Sequence, residues 1–91
     1  MPARSPPVPR FHLHIHDQGG LSCDEDGLEL PDLAAARASA LDGIRSIAGE
    51  EVRTGVLSLD GRVEIADGAG TILDVVRFVD AIELRLPEES R

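Results

Sequence analysis

No lysine, tryptophan or tyrosine occurs in these 91 residues, and cysteine occurs once. Without lysine, nine arginines face 17 acidic side chains, and the formal net charge is −8. Surfaces for nucleic acid or anionic lipid need a basic footprint, so neither nucleic acid nor a membrane is expected as a partner. One cysteine, Cys23, excludes an internal disulfide framework and fits a reducing, cytoplasmic setting. Its neighbours Asp24, Glu25 and Asp26 are carboxylates, not the cationic groups that activate a thiolate nucleophile. Glycine-rich phosphate loops, a G-x-S-x-G elbow and paired-cysteine motifs are missing as well. The expectation is a non-catalytic protein with no cofactor. No apolar run approaches the ~20 residues of a membrane helix, and the start of the chain lacks the apolar stretch of a signal peptide.

Aromatic side chains are reduced to Phe11 and Phe78. Much of the remaining apolar content is alanine, which buries little area. The core must therefore rest on Leu, Ile, Val and the two phenylalanines. A chain of this length makes one domain with a thin core, and a homodimer would supply the missing burial.

What is present reads as α+β. Residues 1–9, with Pro2, Pro6, Pro7 and Pro9, form a Pro-rich tail expected to be flexible, as are residues 87–91. A single domain is expected over residues 10–86. From Phe11 to His16 apolar and polar residues alternate, placing Phe11, Leu13 and Ile15 on one strand face and His12, His14 and His16 on the other. Turn chemistry follows at Asp17–Gly20 and again at Asp24–Gly27. A short second strand, clearest at Leu28-Glu29-Leu30, would pair with the first. Pro31 stops it and Asp32 caps a helix.

That helix carries one apolar stripe: Leu33, Ala36, Ala40, Leu41, Ile44, Ile47 and Ala48. Glu51 falls in the same phase, which predicts distortion after Gly49, with a stop at Thr54-Gly55. Val56–Leu59 is expected to tuck under the core. Strands are predicted at Arg62–Ala66 and Thr71–Val79, joined by an Asp67–Gly70 turn, giving a ββαββ chain with an antiparallel sheet of about four strands. The last strand has Ile72, Val76 and Phe78 on one face and Leu73, Val75 and Val79 on the other. Both faces are apolar, so it is either covered twice or bulged. One helix covers one sheet face; the other needs Ile82–Leu86 or a second subunit.

Two constellations could carry chemistry. His12, His14 and His16 project in alternate steps ~7 Å apart, and with Cys23 or Asp17 they could complete a tetrahedral metal site. The alternatives are a polar face that happens to be histidine, or a pH-sensitive surface. Asp24, Asp26 and Gly27 match part of a calcium loop, but the position of its bidentate glutamate falls on Leu33, so a solvated turn is expected there.

Arg10-Phe11-His12-Leu13-His14, followed by Asp24-Glu25-Asp26-Gly27-Leu28-Glu29-Leu30-Pro31-Asp32-Leu33 and the Ala34–Ala38 helix start, resembles a bacterial family of short proteins classed as a domain of unknown function. Phe78, Asp80 and Ala81 match that family's late aromatic and Asp-Ala pair. The resemblance implies the ββαββ fold and no activity. His12 and His16 stand where the family usually has an aromatic and a basic residue. The same strand-turn-strand, Pro-Asp-Leu, helix rhythm is loosely similar to HicB-type antitoxins, which would imply neutralisation of a basic partner. The leading expectation is a protein-interaction module, acting as a homodimer or on another protein. Metal binding at the histidine face is a separate expectation.

Overall fold

The computed structural model describes residues 8–88. Most of the tail expected over 1–9, and residues 89–91 of the expected C-terminal tail, lie outside them. The alternation that predicts the first strand produces β1, Arg10–Asp17, at the centre of an antiparallel sheet. The second strand is in two pieces, β2 (Gly20–Ser22) and β3 (Leu28–Glu29), with residues 23–27 diverging between them. Both pieces pair with one side of β1, β2 through Ile15↔Ser22 and β3 through Phe11↔Leu28. On its other side β1 pairs with β4, Arg62–Ala66, in the register His14↔Glu64. β5, Ile72–Arg77, pairs with β4 and forms the sheet's far edge in the order β2-β1-β4-β5.

Asp32 starts the helix as its sequence predicts. Its extended backbone places Oδ1 2.9 Å from the Ala35 N–H, satisfying a donor that the first turn leaves free. α1 then runs Leu33–Arg53 and buries Ala36, Ala40, Ile44 and Ala48, one residue per turn. Three of these four are alanine, so the helix backbone lies close to the sheet, and Ile44 is the one large side chain that it buries fully. The sheet answers with Phe11, Val63, Ile65 and Val76. Each such residue taken wholly out of water contributes about 1.5–3 kcal/mol.

Two expectations are corrected. α1 is continuous through Glu51, because the Glu51 carboxylate accepts the Ser58 N–H at 2.9 Å and does not enter the core. The helix stops where expected, with Thr54 as C-cap and Gly55 at φ +90°. The last strand ends at Arg77, not Val79, and residues Phe78–Ala81 form a one-turn helix, α2. The turn carries Phe78 into the core, over Gly61, where an added Cβ would lie 2.8 Å from the phenyl ring. β5 also carries the bulge: the register steps from Ile65↔Asp74 to Ala66↔Ile72, leaving Leu73 as the extra residue. In the expected connector Leu59 packs on the core, whereas Val56 is 64% exposed.

Candidate functional site

Where β2 and β3 part, the side of β1 away from β4 has no neighbouring strand among the described residues, and side chains replace the missing ladder. The Asp24 carboxylate accepts the Leu13 N–H through Oδ2 at 3.1 Å and the Gly27 N–H through Oδ1 at 3.0 Å. The two histidines flanking Leu13 hold the backbone of the same aspartate. The Asp24 N–H donates to Nδ1 of His14 at 3.0 Å, and Nδ1 of His12 lies 2.8 Å from the Asp24 carbonyl. An amide can only donate and a carbonyl can only accept, so Nδ1 is bare in His14 and protonated in His12. Their rings stack with centroids 6.3 Å apart and 23° between planes. The Arg10 guanidinium closes the other end of the excursion on the Asp26 carbonyl, at 2.7 Å, and on the Glu29 carboxylate. Gly27 sits at φ +74°, and a Cβ there would meet the Arg10 side chain at 2.7 Å and the Phe11 carbonyl at 3.0 Å. Only glycine fits that position.

His16 is apart from this cluster. Its Nε2 is 2.8 Å from Glu64 Oε1 on β4, and Arg62 approaches the same carboxylate at 3.4 Å. The hydrogen bond from His16, then the Arg62 guanidinium, outweigh desolvation and hold the Glu64 carboxyl below its usual range. Burial alone would raise the Asp24 carboxyl, but the Gly27 and Leu13 N–H groups, with the two histidines beside them, bring it below the ordinary value. On the helix side, Arg37 and the Val75 N–H hold the Asp74 carboxyl low.

All three histidines predicted as metal ligands lie on one half-buried strand face, as the alternation requires. The fold brings His12 and His14 together around Asp24 and sends His16 to Glu64. Cys23 is exposed. Among the described residues no three His, Cys, Asp or Glu side chains are gathered to hold a metal. The role of Asp24 as a substitute strand partner was not foreseen from the sequence. Its signal there is Gly27, three residues on, behind an acidic run with no apolar periodicity.

The same sheet face continues across β4 and β5 with no helix over it among the described residues. Val75 lies beside Glu64, and Arg77 beside Arg62. Val75 is 41% and Leu73 42% exposed. Beyond them the outer edge of β5 meets no strand among the described residues. On the opposite side of the molecule, Arg45, Ala48, Gly49, Val52, Leu57 and Ile82 line a shallow apolar groove of about 320 Å³. No helix among the described residues is long and apolar enough to cross a membrane.

Residues 10–79 match a family described as "Domain of unknown function (DUF6894)". No curated protein and no solved structure matches the chain.

Proposed function

With the chain a member of the DUF6894 family, whose description names no activity, we propose that it is a non-catalytic protein-interaction module working through the open face and free edge of β5, with a second copy of the chain as its partner. The observation that carries the reading is the exposure of Leu73 and Val75 on a sheet whose covering helix lies on the other side. Apolar side chains beside an unpaired strand edge form a template for a further strand. Buried core residues are few, and association would add to them.

Light scattering across the micromolar range tests this. The wild-type chain should associate, and Val75→Glu should remain monomeric with an unchanged circular dichroism spectrum. A wild-type chain that is monomeric throughout, or a Val75→Glu chain that associates as before, rejects the reading.

A second reading, HicB-like neutralisation of a basic protein, draws on the exposed carboxylates of Glu25, Asp26 and Asp32. It expects a basic partner to co-purify from the native host, with complex formation lost at high salt.

A further inference from the structure

We propose that the strand added to the β5 edge is Glu83–Leu86 of a second copy, exchanged reciprocally between two chains. This rests on the self-association proposed above and names its contact.

The β5 edge has a defined pattern. The Phe78 N–H donates to the Gly61 carbonyl at 2.9 Å, and the ladder continues through Val63↔Val76 and Ile65↔Asp74. Asp74 and Val76 therefore direct their backbone toward β4, and Val75 and Arg77 direct theirs outward. The outward Val75 N–H is bonded to its neighbour Asp74 Oδ1, at 2.8 Å.

The chain also carries a strand-like segment that pairs with no strand among the described residues. Ile82-Glu83-Leu84-Arg85-Leu86 alternates apolar and charged residues, and Leu84 and Leu86 are 57% and 76% exposed. Arg45 Nε holds the Ala81 carbonyl at 3.0 Å, and Ile82 packs against the core. These contacts fasten the start of the segment to α1 and the core.

Laid antiparallel with Leu84 opposite Val75, the two fit residue by residue. Arg85 faces Asp74, and Leu86 runs toward Leu73. The Val75 N–H passes from Asp74 to the Leu84 carbonyl. In exchange the Asp74 carboxylate, already held by Arg37, gains the Arg85 guanidinium, which in the single chain is paired with the exposed Glu83. Two reciprocal contacts of this kind close a dimer with two-fold symmetry.

The test uses the full chain with Cys23→Ser. A mixture of Val75→Cys and Leu84→Cys chains should form the mixed disulfide dimer faster than a mixture of Val75→Cys and Leu28→Cys. Leu84→Glu with Leu86→Glu should weaken association about tenfold or more, since truncating the few central contacts removes most of the binding energy. Both leucines are exposed in the single chain, so its fold is unaffected. If Val75→Cys chains cross-link to one another as fast as the mixture, the edges pair with each other and the inference falls. It falls also if the double glutamate variant associates as wild type, or if one chain carrying both cysteines closes an internal disulfide at once; in these cases self-association itself survives. A wild-type chain that is monomeric throughout overturns both.

Discussion

The N–H of Asp24 donates to Nδ1 of His14 across 3.0 Å, so the imidazole supplies the acceptor that an adjacent strand would otherwise provide. Replacing His14 with alanine leaves that amide without its partner while the carboxylate bonds of Asp24 remain. Amide exchange at Asp24 should accelerate, and exchange at Gly27, whose amide stays on the Asp24 carboxylate, and at Val63 and Ile65 in the core should not. Equal protection at Asp24 in both proteins would remove the histidine from this role.

The Asp24 carboxylate satisfies two backbone donors, so Asp24→Ala should cost about 1–3 kcal/mol, the range for leaving such donors without their partner. Denaturant unfolding measures it. A loss no larger than that of Asp17→Ala would show that water substitutes freely for the carboxylate.

Asp24, Glu64 and Asp74 all have carboxyl groups held below their ordinary range. A lowered folded value means that the stabilisation is complete above the ordinary values of ~3.9 for Asp and ~4.3 for Glu. It drains away as pH falls through the lower folded values. The denaturation midpoint should therefore fall steeply below about pH 4, and Asp24→Asn should make that fall shallower. Parallel curves for the two proteins would exclude Asp24 as a contributor.

Gly27→Ala combines a left-handed backbone with a Cβ 2.7 Å from Arg10 and 3.0 Å from the Phe11 carbonyl. The backbone conformation alone costs about 1–2 kcal/mol, and the crowding adds to it. Gly43→Ala is the control: its Cβ meets nothing within 4 Å, and alanine there should stabilise the helix by up to about 1 kcal/mol. Thermal unfolding of the pair should move in opposite directions.

Ile44 is fully buried and is the largest side chain that α1 places in the core. Ile44→Ala should cost about 2–5 kcal/mol, against about 1 kcal/mol for Asp32→Ala at the cap. A cost for Ile44→Ala no greater than that of the cap variant would mean that the sheet holds its own core without the helix.

Local chemistry made several elements legible. Pro31 and Asp32 mark the helix start, and strict alternation marks β1 and Arg62–Ala66. The features that were not legible depend on distant residues. Phe78 continues the strand pattern of Thr71 onward, yet the chain turns helical there, and the bare backbone of Gly61 leaves room for the phenyl ring. Glu51 falls on the apolar phase of α1, yet the Ser58 N–H gives its carboxylate a partner outside the core. The histidine face was visible as a face. Its attachment to Asp24 was not, because neither a turn nor a strand pattern specifies which backbone groups it leaves unpaired.

The break between β2 and β3 bears on what the sheet can join. On that side the outermost strands are three and two residues long, separated by a loop that side chains fasten in place. Six residues of β5 stand at the opposite margin. Growth by strand addition thus has one usable end and one blunted end, like a polymer chain already capped at one terminus. In the self-association proposed above, two molecules would join at that margin and a third would find no comparable one, so the same break that displaces Asp24 would favour a pair.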